Sequence, residues 1–229
     1  MRPGVLLPGR RCELCGAMLL VAAIMTPIGQ TFCATHQDLP RCHQCSAPFY
    51  GTAKYCAACT TTAITSQDGV RRALPRVRDT LKTMGIRLNP PVHIQLVDEP
   101  HMRAMSPVEL GKVGGLTMVN GRQVVEVYIL EGQPELEFGS TVAHEVMHAW
   151  LAQNGYGRLE PLIEEGLCEV VAYRWLRDQP SPLVPWLRQK FEINPHPIYG
   201  NGFRAVKESV QRVGMKQVLE AVKSTRRLP

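Results

Sequence analysis

The pentapeptide His144-Glu145-Val146-Met147-His148 is the part of this sequence best suited to chemistry. On a helix, positions i and i+4 project from one face, so both imidazoles can reach a single ion. Glu145 lies one step round the helix, beside that ion and not on it, where a carboxylate can take a proton from water. A chain of this length and composition would contain such a pattern by accident with a frequency of roughly 0.014. A catalytic zinc also needs a third protein ligand and one open position. The next histidine, His196, falls in a Pro-rich stretch, and a His-x-x-Gly-x-x-His continuation is absent. The third ligand is therefore expected from Ile163-Glu164-Glu165-Gly166-Leu167-Cys168-Glu169, at the start of the following helix. An acidic pair there can simply complement the helix dipole. Beside a two-histidine helix it acquires a second meaning. Glu165 and Glu169 share a face at i and i+4, so Glu165 is expected on the metal while Glu169 orients a ligand histidine from behind. Glu164 is the alternative ligand, or anchors the helix. Tyr199, between Pro197 and Gly200, is the candidate donor to an oxyanion, with His196 and Arg204 behind it. A loop aromatic packed on the domain is an equal reading of Tyr199. Cys168 reads as a small buried hydrophobe.

A second set of metal ligands lies upstream. The pairs Cys12-x2-Cys15, Cys33-x2-His36, Cys42-x2-Cys45 and Cys56-x2-Cys59 bracket hairpin-length inserts, the spacing that tetrahedral zinc requires. One site is expected from Cys12, Cys15, Cys33 and His36, and the other from Cys42, Cys45, Cys56 and Cys59. His43, inside a knuckle, reads as a bystander. The segment holds too little apolar material to fold alone, so the metal must supply folding free energy. The odd cysteine number in this segment and the ligand-spaced histidine disfavour a disulfide framework. Two structural zincs and one catalytic zinc are expected in all.

The positioning elements are legible in outline. Thr60–Ser66 reads as a connector. A helix follows with Val70, Leu74, Val77, Leu81 and Met84 on one face, ended by Gly85, and Pro75 is expected to kink it or to mark its start. Residues 92–97 alternate like a strand. Leu116–Val119 and Gln123–Leu130 flank Asn120-Gly121, a hairpin signal. Gly139-Ser140 is read as opening the helix of the histidine pair, and Pro161 as opening the next, which runs to about Trp175. Residues 180–197 read as loop with a short helix, and 203–224 as helical with a break at Gly214. Strand Val124–Leu130 is expected to pair with an extended substrate. A zinc-ribbon module over residues 1–62 and a second domain over 63–229 follow from this division.

With 229 residues and 45% apolar content the chain can bury a sizeable core, which excludes wholesale disorder. The apolar run from Ala17 to Met25 is about half of what a bilayer span requires. Only eleven residues precede Cys12, too few for a secretory signal, so a cytoplasmic protein without a membrane partner is expected. The net charge is +6. Seven thiolates holding two zinc ions would reduce it to about +3. The cationic excess divides evenly between residues 1–65 and 66–229, and no Lys/Arg run exceeds two residues. Nucleic acid is not expected as a partner.

Ala-His-Glu-Val-Met-His-Ala-Trp-Leu (143–151), then Asn154-Gly155-Tyr156, Ile-Glu-Glu-Gly-Leu-Cys-Glu-Val (163–170) and Pro-Ile-Tyr-Gly-Asn-Gly-Phe-Arg (197–204) resemble the DA-one family of LIM-domain peptidases. The Cys/His ribbon is similar to the LIM-like segment of that family, so the resemblance covers the chain from Cys12 onward. It implies a zinc-dependent endopeptidase of the gluzincin sort acting on protein substrates. His144, His148 and the Glu164/Glu165 pair would form the metal site and Glu145 would be the base. Plant members carry ubiquitin-interacting motifs and a full LIM domain upstream, whereas this sequence starts within the LIM-like part. Ubiquitin dependence and the named substrates of those members are not implied.

The expected fold is α+β, a zincin-like metallopeptidase domain preceded by a LIM-like tandem zinc ribbon that could recruit a protein substrate. Two other classes compete with the peptidase. A protease acting on DNA–protein crosslinks would also combine a His-Glu-x-x-His domain, a ribbon and a basic pI, but here no basic stripe is visible. A non-catalytic zinc adaptor would require the cleft to be blocked.

Overall fold

The computed structural model describes residues 9–19, 24–105 and 114–229. Residues 20–23 of the apolar run read at 17–25 lie outside the described residues. Among those described, no helix is long and apolar enough to cross a membrane. The architecture is mixed α and β and divides into two units: residues 1–62 with 180–186, and residues 63–179 with 187–229.

The first unit is built from two similar knuckles. In one, the Cys12 N–H donates to Ala17 O at 2.8 Å and the Gly16 N–H to Cys12 O at 2.8 Å; in the other, Cys42 and Ala47, and Ser46 and Cys42, repeat both bonds at 2.9 Å. Gly16 and Ser46 both turn at positive φ, 74° and 63°. Strands β1 (Ile24–Met25) and β2 (Thr31–Phe32) pair antiparallel, a 3-10 turn spans Ala34–His36, and α1 covers Ala57–Thr60. Leu19, Phe32, Ala47 and Phe49 form a small core among the cysteines, and Leu183 packs against it. Such a core buries little apolar area for its length, so the cysteine quartets must carry the fold.

The second unit begins with β3 (Ala63–Ile64) and α2 (Gln67–Thr83), whose cap is Ser66 accepting from the Gly69 N–H. Pro75 lies inside α2 and the helix runs through it from Gln67, so Pro75 does not mark a start. The exposed Pro75 forfeits one backbone bond while Val70, Leu74, Val77 and Leu81 stay buried, which outweighs that loss. After β4 (Ile94–Val97) and α3 (Glu99–Met105) come β5 (Gly115–Asn120), β6 (Gln123–Leu130) and β7 (Gln133–Pro134). The hairpin turn is Gly121-Arg122, one residue beyond the expected pair, with Gly121 at φ 61° between the partners Asn120 and Gln123. A Gly at the first turn position suits the twist of the strands.

The sheet order is β4-β6-β5, with β4 parallel and β5 antiparallel to β6. This corrects one expectation. Strand β6 is central and hydrogen-bonded on both sides, so it has no free edge for a substrate; among the described residues β5 is paired on one side alone. β3 pairs separately with β7.

Helices α4 (Glu135–Gln153), α5 (Pro161–Arg177), α6 (Val184–Glu192, of which residues 187–192 belong to this unit), α7 (Tyr199–Val213) and α8 (Met215–Thr225) follow. α4 starts four residues before the expected Gly139, with Glu135 and Glu137 favourably placed in its first turn. Gly139 is not a helix opener. A Cβ there would lie 2.2 Å from Cη2 of Trp175, so the residue is a socket for that indole. α7 likewise begins at Tyr199, not 203, which places Tyr199 on a helix and not in a loop. Gly202 faces Gly166 of α5: a Cβ on Gly202 would lie 2.3 Å from Leu162 O, and one on Gly166 would lie 2.4 Å from Gly202 O. The two helices therefore meet backbone to backbone. Phe138, Val142, Met147, Leu167, Val171 and Phe203 are fully buried, each contributing about 1.5–3 kcal/mol relative to exposure.

Candidate metal centre

α4 and α5 bring three lone-pair atoms together. His144 Nε2 and His148 Nε2 are 3.2 Å apart, and Glu165 Oε2 lies 3.2 Å from the first and 3.5 Å from the second. A tetrahedral ion with metal–ligand bonds of 2.0–2.1 Å has ligand–ligand edges of about 3.3 Å. The triangle fits that geometry.

The hydrogen bonds behind the ligands strengthen the fit. His144 Nδ1 is 3.1 Å from Glu169 Oε1, and His148 Nδ1 is 3.1 Å from Glu164 Oε1. Each carboxylate takes the Nδ1 proton, which leaves both Nε2 atoms as acceptors facing each other. Glu165 Oε2 is buried without a well-directed hydrogen bond. Two acceptors and an orphaned carboxylate oxygen in one buried space repel unless a cation lies among them. The charge balance without one shows the same demand. Burial opposes protonation of His144, yet Glu165 and Glu169 overcome it and hold its pKa well above 6.5. His148 is raised likewise, against burial, by Cys168, Glu164 and Glu165. Burial would raise the Glu165 carboxyl, but the two histidines hold it down to about 2. These residues fit a divalent cation taking nitrogen and oxygen ligands.

Glu145, the residue after His144 on α4, is 6% exposed. The Thr117 hydroxyl of β5 is 2.8 Å from its Oε2 and 3.0 Å from its backbone oxygen. Thr117 escaped the sequence reading, because nothing local marks which residue of an edge strand will face the neighbouring helix. The Tyr199 ring centre is 6.4 Å from that of His144 and 4.9 Å from that of His196. Burial, then Glu165, pushes the Tyr199 phenol up to about 12, so it keeps its proton. His196 turns inward to its own backbone, its Nδ1 accepting from the Ile198 and Tyr199 N–H groups at 3.2 and 3.3 Å. Arg204 donates to Asn194 O, Glu192 O and Asn201 Oδ1, tying the turn that precedes α7. Cys168 is fully buried, and its sulfur lies within 4.8 Å of ring nitrogens of both histidines. Burial raises its thiol pKa and counteracts ionisation, so Glu165, already anionic, is the better third ligand.

The two ribbon quartets gather as the spacing requires, Cys12, Cys15, Cys33 and His36 in one and Cys42, Cys45, Cys56 and Cys59 in the other. The seven cysteines among them are free thiols. The edges Cys15–Cys33 and Cys45–Cys56 are 3.8 and 3.7 Å, and His36 Nδ1 is 3.4 and 3.3 Å from the Cys12 and Cys33 sulfurs. A zinc–sulfur bond of about 2.3 Å predicts an S···S edge of about 3.8 Å. Against its burial, N–H groups of Cys33, Cys15 and Leu14 draw the Cys12 thiol down to about 6, which favours the thiolate a metal needs. Both quartets are compatible with zinc. His43 stacks edge-on to Tyr55 and belongs to neither quartet.

Comparison with known proteins connects these sites. The family described as DA1-like, Protein DA1, matches residues 76–188, which include all of α4 and α5. Protein DA1 of Arabidopsis thaliana is 32% identical over 135 residues, covering 47% of this chain and 25% of that protein. Protein DA1-related 2 of Arabidopsis thaliana is 23% identical over an alignment of 281 positions that covers 87% of this chain and 53% of that protein. The LIM domain-containing protein HDR3 of Oryza sativa subsp. japonica is 23% identical over 284 positions, covering 88% and 57%. The chain thus spans between a quarter and somewhat over half of the length of these relatives. No solved structure matches. The His/Glu centre lies inside the segment that matches the DA1-like family, and the paired Cys/His quartets lie upstream of it, within the longer alignments to the DA1-related and LIM domain-containing relatives.

Proposed function

We propose that this chain is a zinc-dependent endopeptidase that hydrolyses peptide bonds in protein substrates, on a zincin-like domain of the gluzincin type preceded by a LIM-like zinc ribbon. The observation that carries the reading is the triangle of His144 Nε2, His148 Nε2 and Glu165 Oε2, with Glu145 buried at the next position of the same helix. Those three atoms would hold zinc, which when bound acts as a Lewis acid on a carbonyl and makes water acidic enough to attack near neutral pH. Glu169 and Glu164 keep the two imidazoles in the ligating tautomer. Thr117 holds one oxygen of Glu145, so the other is directed to the proton of the attacking water and later passes it to the leaving amine nitrogen. Tyr199, protonated at neutral pH, donates to the oxyanion of the substrate carbonyl. The side of β5 left unpaired among the described residues gives an extended substrate backbone hydrogen-bonding partners next to Thr117 and Glu145.

The test is Glu145→Gln, assayed on an unstructured protein substrate with zinc content measured in parallel. Wild type should cleave with three zincs per chain, and the variant should keep three zincs while losing at least 100-fold in kcat. Proteolysis retained by the variant would overturn the assignment of Glu145. A wild type with three zincs and no proteolysis would favour the adaptor reading, and activity that depends on single-stranded DNA would favour the crosslink protease.

A further inference from the structure

Away from the metal centre, a crevice of about 210 Å³ opens between α2, the segment after it and α4. Its walls are apolar: Leu74, Val77 and Leu81 from α2, Ile94 from β4, and Val142 and Val146 from α4, none more than 8% exposed. Its mouth is cationic, with Arg78, Lys82 and Arg87 against the single carboxylate of Asp79. Arg78 and Lys82 stand at i and i+4 on α2, a like-charge spacing that destabilises a helix. Two other cations of α2 are relieved, Arg71 by Asp68 at 2.7 Å and Arg76 by Glu135 at 3.5 Å. Among the described residues, Arg78, Lys82 and Arg87 have no side-chain hydrogen bond or ion pair.

We infer that this crevice binds a small amphipathic carboxylate, its hydrocarbon part against Val77, Leu81 and Val146 and its carboxylate among Arg78, Lys82 and Arg87. The volume sets the size. An apolar cavity of about 150 Å³ accepts benzene, so one of about 210 Å³ takes a chain of about six to eight carbons. The rim sets the head group. An apolar slot admits any hydrocarbon of that size, but three unpaired cations reward an anion with charge-assisted hydrogen bonds and leave an ammonium head repelled. The site is independent of the proposed peptide hydrolysis.

The test is calorimetric titration of the zinc-loaded full chain with octanoate, 1-octanol and octylammonium. Octanoate should bind saturably at one per chain, at least tenfold tighter than octanol, and octylammonium should not bind. The double variant Arg78→Gln with Arg87→Gln should reduce octanoate to the level of octanol, with zinc content and circular dichroism unchanged. Methyl resonances of Val142 and Val146 should shift with octanoate in the wild type, which locates the ligand without any variant. Absent or non-saturable binding, equal affinity for octanoate and octanol, or silent Val142 and Val146 methyls would each overturn the inference.

Discussion

Removing Glu169 probes the centre without touching a ligand. Its Oε1 lies 3.1 Å from His144 Nδ1, and the side chain is 17% exposed, so water replaces it poorly. In Glu169→Ala the imidazole loses both the charge that raises its basicity and the partner that fixes its tautomer. Partners of this kind are worth 10- to 100-fold in metal affinity, about 1.4–2.8 kcal/mol. Glu169→Gln keeps an acceptor but loses the charge, so it should fall between wild type and Glu169→Ala. Glu164→Ala, on the more exposed partner of His148, should lose less than Glu169→Ala. The assay is competition with a chelator, following release of the most weakly held zinc, with Glu165→Gln as the reference in which that zinc is lost. The ribbon zincs serve as an internal standard that none of these variants should move. Affinity within twofold of wild type in Glu169→Ala would refute the assignment of His144 Nε2 as a ligand held from behind by Glu169.

Further outcomes follow from particular contacts. Gly202→Ala gains up to about 1 kcal/mol of helix propensity but drives a Cβ to 2.3 Å from Leu162 O. Overpacking against backbone costs about 1–3 kcal/mol or more, so the melting temperature should fall by several degrees, read by circular dichroism. Tyr199→Phe should lower kcat with zinc content and KM little changed, and an unaltered kcat would remove Tyr199 from the mechanism. Lys207 and Tyr173 hydrogen-bond Glu192 and lower its carboxyl pKa. A lowered folded pKa gives stability that is present above the unfolded value, near 4.5, and is lost as pH falls through the folded one. The gap in melting temperature between wild type and Glu192→Gln should therefore be full above about pH 5 and close in more acidic buffer.

Where the chemistry depends on spacing along one helix or one knuckle, the residues alone were enough. His144 and His148 sit one turn apart on any helix, and Cys-x2-Cys pairs converge because the knuckle backbone leaves few alternatives, as the repeated bonds at Cys12 and Cys42 show. The glutamates of α5 could be nominated for the same reason, since 165 and 169 share a face. What decided among them was the antiparallel approach of α5 to α4, which puts Glu165 between the imidazoles, Glu169 behind one and Glu164 behind the other. That approach depends on residues that looked like interruptions. Gly139-Ser140 looks like a helix start, yet Gly139 sits inside the helix and admits Trp175. Gly202 hid the true start of α7, and it is there so that two backbones can touch. A local propensity is worth about 1 kcal/mol per residue, and burial of a ring or a helix crossing is worth more, so the tertiary contact wins at those positions. The central place of β6, and with it the choice of β5 as the strand paired on one side among the described residues, belongs to sheet order. Alternation within a strand says which residues share a face, but carries no information about which neighbours lie on either side.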